Sequence, residues 1–253
     1  MPQLEGLEGR VLTELDDAEA PTLSTEPSCS VTSGPSWEEL ADERGVAAVA
    51  DGEPTRWYEE VWSAGARGTV GMPWDRGAPH SLLESHTRGV DGSGRRAVVV
   101  GAGLGADAEH LAGLGFTTTA FDIAPSAVGA ARDRHPGSAV DYRVADLTDL
   151  PDDLVGGFDL VVEIFTLQAL HGSVRRRAAD GVRRLVCPGG TLFVVQVVRD
   201  DDEEVSEEPP WLLDRSEMEA LAGDGLDVET LEQVANPDHP DARDLWRMVL
   251  TRR

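Results

Sequence analysis

Three glycines at alternate positions form the part of this chain best suited to hold a polar ligand. Gly101, Gly103 and Gly105 follow the apolar, β-branched run 96–100 and precede a segment, 106–114, that carries alanines and leucines. Glycine permits positive φ and lets a ligand lie against the backbone, while free N–H groups at a helix start favour polar or anionic groups. The pattern predicts a buried strand, a tight turn and a helix, with a nucleotide-type ligand at the turn. A turn without a ligand is the alternative when the glycines are taken alone.

Two carboxylates stand where neighbouring strands are predicted to end. Asp122 closes the run that starts at Thr117, and Asp146, with Leu147 after it, follows the run 140–144. An acid about 20 residues beyond a glycine-rich turn holds the ribose hydroxyls of a nucleotide. Asp122 therefore predicts that the ligand carries a ribose.

The second half of the chain alternates apolar strands with helical segments. Strands are predicted at 96–101, 117–122, 140–144, 158–164 and 191–198, and helices at 106–114, 125–134 and 173–186. This alternation predicts an α/β fold with a doubly wound, mostly parallel sheet of the Rossmann-like kind. Segments 226–234 and 245–251 predict two more strands, and because too few residues separate them for a helical crossover, they form an antiparallel hairpin. The expected sheet has seven strands with an antiparallel final one.

The residues before the sheet divide into two parts. Residues 1–36 are acidic and contain Pro, Ser and Thr, which predicts a disordered extension; a docking helix from Leu4 to Leu15 is the alternative. Residues 37–94 hold four of the six tryptophans, with helices predicted at 37–50, 55–64 and 81–87. We expect this segment either to form a lid over the ligand crevice or simply to pack onto the sheet, and the core domain to span residues 95–253.

Charge, hydropathy and cysteine content exclude several classes of protein. The net charge is −25, and all 22 basic residues are arginine, so the surface repels phosphate backbones and nucleic acid is not an expected partner. No apolar run approaches the ~18 residues of a membrane helix, and the first residues lack a secretory pattern, which predicts a cytoplasmic protein without a membrane partner. Cys29 and Cys187 belong to no Cys/His cluster, so no metal site is expected.

Five motifs in order resemble those of the class I S-adenosylmethionine-dependent methyltransferases. The turn fits the family's G-x-G-x-G, and Asp122 and Asp146 end its second and third strands with acids. The segment 158–163 resembles the fourth motif, 187–192 resembles the Pro-Gly-Gly turn before the fifth strand, and the closing strands match the family's hairpin. The resemblance covers about residues 95–253 and implies S-adenosyl-L-methionine as the cofactor.

Shorter motifs are similar to those of the thiopurine and thiol/halide methyltransferase group. Trp57 with Tyr58, and the segment 72–77, resemble its tryptophan and Pro-Trp-Asp-x-Gly elements, and 166–170 and 209–213 resemble its small-molecule members. This implies a small-molecule acceptor, a thiol or a halide, methylated by in-line displacement. Holding the nucleophile in line supplies much of the rate, and a thiolate or halide needs no general base.

The resemblance also implies roles for individual residues. Cofactor contacts are expected for Trp57, Trp74, Gly101, Gly103, Gly105, Asp107, Asp122, Ile123, Asp146, Leu147 and Glu163. Glu163 is expected to face the crevice and orient the cofactor or the acceptor. His171 is a candidate base, with a surface histidine as the alternative; Asp107 is otherwise an acid favoured at a helix start.

Two other functions remain open. Gly101, Gly103 and Ala106 equally fit the G-x-G-x-x-G/A turn of an NAD-dependent oxidoreductase, for which a sixth parallel strand is expected in place of the hairpin. A non-catalytic module that binds S-adenosylmethionine is the third candidate. A cavity for an acceptor beside the cofactor site opposes the binding module, whereas a filled one supports it.

Overall fold

A seven-stranded sheet lies at the centre of the computed structural model, which describes residues 36–253. The strands are β1 (Arg96–Val100), β2 (Thr117–Asp122), β3 (Asp141–Val144), β4 (Phe158–Ile164), β5 (Val186–Val197), β6 (Leu226–Val234) and β7 (Leu245–Arg252). Their order is β3-β2-β1-β4-β5-β7-β6, and β7 runs antiparallel to both of its neighbours. The predicted fold class is confirmed, and the antiparallel β7 lies where an oxidoreductase is expected to carry a parallel strand.

Seven α-helices accompany the sheet within the described residues. They are α1 (Trp37–Ala50), α2 (Arg56–Ala66), α3 (Ser81–His86), α4 (Ala106–Gly113), α5 (Pro125–Arg134), α6 (Gly172–Leu185) and α7 (Arg215–Glu219). Reciprocal side-chain and backbone hydrogen bonds cap α1 at Ser36 and α7 at Asp214, as capping boxes do. No helix among these residues is long and apolar enough to cross a bilayer. The extension predicted for residues 1–36, with its alternative helix from Leu4 to Leu15, lies outside the described residues apart from Ser36.

The start of β5 differs from the sequence-based expectation. The Pro-Gly-Gly segment was expected as a turn before the strand, but it forms a bulge inside a strand that begins at Val186. Phe158 pairs with Val186 and Leu160 pairs with Thr191, so four residues of β5 oppose one of β4. Gly190 permits this because a Cβ there would lie 2.7 Å from the Phe158 carbonyl oxygen.

Apolar residues cover both faces of the parallel strands. Val98 and Val100 of β1 pack into the cluster that includes residues of α6, while Ala97 and Val99 pack with residues of α3 and α4. Strands that are buried on both faces tend to be apolar along their whole length, which is why strands such as β1 could be predicted from the sequence. A ligand in such a fold binds outside the carboxyl ends of the strands.

Candidate active site

A cavity of about 250 Å³ lies at the carboxyl edge of β1, β2, β3 and β4. Of the residues predicted to contact the cofactor, the following line its wall: Trp74, Gly101, Gly103, Gly105, Asp122, Ile123, Asp146 and Leu147. These residues come from four separate parts of the chain. The structure therefore brings most of the predicted cofactor residues together in one place.

The turn after β1 requires glycine for both conformation and space. Gly101, Gly103 and Gly105 all have positive φ, at 58°, 50° and 85°. A Cβ on Gly101 would lie 2.2 Å from the Thr166 hydroxyl oxygen, and one on Gly105 would lie 2.2 Å from the Tyr142 hydroxyl oxygen. The turn is thus packed tightly against its neighbours, and its backbone borders the cavity.

Asp122 joins the end of β2 to the glycine turn. Its Oδ1 accepts a hydrogen bond from the Ala124 N–H (3.0 Å) and its Oδ2 accepts one from the Gly103 N–H (3.1 Å). A carboxylate has about four acceptor positions, so two remain for hydroxyl groups of a ligand in the cavity. Burial raises the pKa of Asp122, although the backbone donors oppose the shift.

The loop after β3 is held from both sides. The Asp146 Oδ1 accepts hydrogen bonds from the Thr148 N–H (2.7 Å) and hydroxyl (2.8 Å), and Oδ2 has no hydrogen-bond partner among residues 36–253. The Leu147 carbonyl lies against Gly181 of α6, where a Cβ would lie 2.0 Å from it. Gly181 therefore lets α6 hold Leu147 in the cavity wall, next to a carboxylate oxygen that is open to a ligand.

Residues 74–77, here called the strap, form another part of the wall. Trp74 has a φ of +49° and a 39% exposed side chain. The centroid of its ring system lies 5.5 Å from that of Trp62 and 4.9 Å from that of Trp37. Asp75 accepts two hydrogen bonds of 2.7 Å from the Arg134 guanidinium on α5, which lowers the pKa of Asp75. Aromatic contacts and an ion pair thus fix the strap beside the glycine turn.

Asp107 and Trp57 do not line the cavity. Asp107 is buried, and its carboxylate accepts hydrogen bonds from the Arg76 guanidinium and the His80 N–H, so it anchors the strap. The Trp57 side chain is 2% exposed and packs into the cluster that includes residues of α1, with its Nε1 donating to the Pro54 carbonyl. The next residue along α2, Tyr58, faces the cavity.

The two residues predicted to be catalytic also lie outside the wall. Glu163 is 0% exposed, and both of its carboxylate oxygens accept hydrogen bonds beneath the loop that follows β4. His171 is exposed at the start of α6 and stacks on Trp211, with 5.1 Å between ring centroids. The titratable side chains of the wall are Tyr58, Asp75, Arg76, Asp122, Arg134 and Asp146. None of them is histidine, glutamate or lysine, and the described part of the chain contains no group of three or more His, Cys, Asp or Glu side chains placed to hold a metal ion.

Several wall residues were missing from the sequence-based set. Tyr58 donates a hydrogen bond from its hydroxyl to the Ala169 carbonyl, and burial raises its pKa well above the usual range. Phe165, Ala169 and Leu170 extend the cavity beyond β4, and Phe165 adopts a φ of +63°. The helical phase of α2 is the signal that could have separated Tyr58 from Trp57, because adjacent residues of a helix point about 100° apart.

A seven-stranded sheet in this order, with a glycine turn after β1 and carboxylates after β2 and β3, is the Rossmann-like methyltransferase fold that the sequence resemblance implied. Residues 98–194 match the family described as "Methyltransferase domain". A ubiquinone biosynthesis O-methyltransferase of Xanthomonas axonopodis pv. citri is 35% identical over 133 residues, which are 48% of this chain and 54% of that relative. The chain thus spans about half the length of the curated relatives it matches.

Solved structures share the fold at lower sequence identity. N-methyltransferase NodS from Bradyrhizobium japonicum, in complex with S-adenosylhomocysteine, gives a TM-score of 0.57 at 19% identity, over 77% of this chain and 97% of that one. The [4+2]-cyclase SpnF gives a TM-score of 0.58 at 16% identity, over 87% and 97%. Because one fold carries both an N-methyltransferase and a cyclase, the reaction has to be argued from the site.

Proposed function

We propose that the protein transfers a methyl group from S-adenosylmethionine to a small-molecule acceptor inside the cavity. The observation that carries the proposal is the convergence of the glycine turn, Asp122 and Asp146 on one cavity that continues past β4. A module that only binds the cofactor does not need a cavity that continues past β4. The cavity beyond β4 therefore favours an enzyme over a binding module.

The first part of the cavity is suited to the cofactor. The backbone at Gly101–Gly105 would hold the methionine end, Asp122 with Ile123 the ribose, and Asp146 with Leu147 the adenine. The two acceptor positions left on Asp122 suit the two ribose hydroxyls. When bound, S-adenosylmethionine supplies a methyl group that is already activated by a positive sulfur and a neutral leaving group.

The second part of the cavity is suited to an apolar acceptor. Tyr58, Phe165, Ala169 and Leu170 supply aromatic and aliphatic surface there, without a carboxylate or guanidinium among them. The wall contains no histidine or glutamate that could act as a general base, which supports an acceptor of the thiol or halide class that needs none. A hydroxylated aromatic compound is the second candidate, favoured by the aromatic wall and by the O-methyltransferase relative.

A screen of acceptors tests this proposal. Thiols, halides, hydroxylated aromatics and carboxylates are each incubated with protein and S-adenosylmethionine, and S-adenosylhomocysteine is quantified by mass spectrometry. We expect formation above the acceptor-free control for one of the first three classes. Binding of S-adenosylmethionine without product from any class would instead support the binding module.

The division of the chain follows from the same proposal. Residues 95–253 would bind the cofactor, residues 37–94 would close over it as a lid, and residues 1–36 would be an extension. The strap supports the lid, because Trp74, Asp75 and Arg76 reach the cavity wall from outside the sheet.

Replacing Trp74 with alanine tests the lid. Because Trp74 is 39% exposed but contacts Trp37 and Trp62, we expect a modest loss of melting temperature and a roughly ten- to hundredfold loss of turnover as water and misplaced substrate enter the site. Calorimetric melting and the rate of S-adenosylhomocysteine formation are compared in the same preparation. Trp74→Phe, which keeps an aromatic ring, is the matched control and should retain most of the activity. If Trp74→Ala is as active as the wild type, residues 37–94 pack onto the sheet and do not act as a lid.

A further inference from the structure

Glu163 is the one wholly buried carboxylate at the site that does not touch the cavity. It lies in β4, and its Oε1 accepts hydrogen bonds from the Thr166 N–H (2.8 Å) and the Leu167 N–H (3.0 Å). Its Oε2 accepts one from the Gln196 Nε2 on β5 (2.6 Å). Three donors therefore converge on a single carboxylate.

Two glutamines extend these hydrogen bonds in a fixed direction. The Gln196 Oε1 accepts from the Gln168 N–H (3.1 Å), and the Gln168 Oε1 accepts from the Val197 N–H (2.8 Å). The amide orientation of Gln196 is thus set at both ends, by Glu163 and by Gln168. Three backbone N–H groups of residues 165–170, here called the β4 loop, donate hydrogen bonds to this network.

The other side of the β4 loop forms the cavity wall. Phe165, Thr166, Ala169 and Leu170 all line the part of the cavity beyond β4. Phe165 is held at positive φ, and such a conformation in a bulky residue persists only where its surroundings fix it. A change in the buried network would therefore move the wall.

We propose that Glu163 is a positioning residue whose ionised carboxylate holds the β4 loop in the shape of the acceptor wall, and that loss of this charge releases the loop. The assignment of this wall to an acceptor rests on the proposed function. The hydrogen-bond network around Glu163 is observed independently of that function.

Hydrogen-bond direction explains why the charge is needed. A neutral carboxyl carries a proton that must be donated, but Thr166, Leu167 and Gln196 all present donors to it. Turning the Gln196 amide would relieve that conflict and place its NH₂ against the Gln168 N–H. One buried donor is left without an acceptor in either arrangement, which is unfavourable.

The switch falls near neutral pH. Burial raises the pKa of Glu163 to about 7, against the lowering effect of its three donors and of Arg175 on α6, the charged group that faces it. Above pH 7 the carboxylate is ionised and the loop is held. Below pH 7 the group is protonated and the loop is released, provided that Glu163 stays enclosed between β4 and β5 when the Thr166 and Leu167 amides move away. The carboxyl then loses two donors that lower its pKa without gaining water, so its pKa is higher in the released state and protonation favours that state.

Global stability responds to the same group in the opposite direction. A carboxyl whose pKa is higher in the folded chain than in the unfolded one takes up a proton on folding between about pH 4.5 and 7. Its contribution to the free energy of unfolding therefore falls as pH rises through that window. A gain of loop protection with rising pH cannot come from global stabilisation by Glu163.

Amide hydrogen exchange with mass-spectrometric readout, at pH 6 and pH 8, tests the proposal. In the wild type we expect the protection factors of the Thr166, Leu167 and Gln168 amides to be about tenfold higher at pH 8, since an orphaned buried donor is disfavoured to roughly that extent. In Glu163→Gln the protection factors of these amides should be low at both pH 6 and pH 8. Glu229→Gln, an exposed carboxylate in β6, is the control and should behave as the wild type.

Exchanging the two side chains gives a rescue. In Glu163→Gln combined with Gln196→Glu, the new amide donates to the new carboxylate, which also accepts from the Gln168 N–H, so every donor regains an acceptor. We expect this pair to recover protection at pH 8. Wild-type protection that does not change with pH, full protection in Glu163→Gln, or a pair as unprotected as the single variant would each overturn the proposal. Calorimetry with S-adenosylmethionine on the same samples reports the proposed function separately, because the loop measurement needs no cofactor.

Discussion

Replacing Asp122 with alanine is expected to weaken the binding of S-adenosylmethionine roughly 30- to 150-fold, which corresponds to about 2–3 kcal/mol. The carboxylate supplies the free acceptor positions beside the turn, and it also holds the Gly103 and Ala124 N–H groups. Its loss therefore removes a ligand contact and loosens the turn at once. Isothermal titration calorimetry measures the change.

Asp141→Ala is the matched control for this experiment. Asp141 is an exposed carboxylate at the start of β3, at the opposite edge of the sheet, and its removal should leave the affinity as it was. Asp122→Asn should fall near the alanine variant, because the amide NH₂ must face one of the two backbone donors. An affinity in Asp122→Ala equal to that of the wild type would remove Asp122 from the cofactor site.

Gly101→Ala is expected to lower the free energy of unfolding by about 2–5 kcal/mol, from a non-glycine residue at positive φ and an overlap with Thr166. The φ is +58°, and the three atoms nearest to an added Cβ all belong to the Thr166 side chain. Urea denaturation followed by tryptophan fluorescence measures the loss. Gly113→Ala is the control, since an added Cβ there meets nothing within 4 Å; alanine in a helix should raise stability by up to about 1 kcal/mol.

A second substitution separates the two causes. Gly101→Ala combined with Thr166→Ala removes the hydroxyl and methyl that lie nearest to the new Cβ, although the Cβ of residue 166 stays at 3.1 Å. Measured against Thr166→Ala alone, which already lacks the hydroxyl hydrogen bond to the Val100 carbonyl, the double variant should show mainly the cost of positive φ, about 1–2 kcal/mol. If Gly101→Ala is as stable as the wild type, the turn does not pack against the β4 loop as described.

Features that depend on local pattern could be predicted from the sequence. β1 and β4 are largely apolar because both sheet faces are covered. β2 and β3 are threonine-rich or mixed in sequence, and Asp122 and Asp146 are recognisable as acids at or just after their ends. The glycine turn can also be predicted, because glycine is the residue that most readily adopts positive φ. Three glycines at alternate positions after an apolar strand therefore indicate a tight turn. These features place the cofactor part of the cavity.

Features that depend on packing between distant segments could not be predicted from the sequence. Glu163 lies one residue before the end of β4, much as Asp122 ends β2, but its carboxylate accepts a hydrogen bond from Gln196, far along the chain, and lies beneath the β4 loop. Asp107 turns to Arg76 because the strap folds back onto α4. The acceptor part of the cavity depends on such contacts, so the sequence favours an acceptor class only through short motifs.

Amide hydrogen exchange of the wild type with and without S-adenosylmethionine, and with NADH in parallel, tests the central claim most directly. We expect S-adenosylmethionine to protect the amides of residues 101–105, 122–123 and 146–148, and NADH to leave them unchanged. Protection of these segments by NADH alone, or protection by S-adenosylmethionine only elsewhere in the chain, would contradict the assignment of this cavity to the methyl donor.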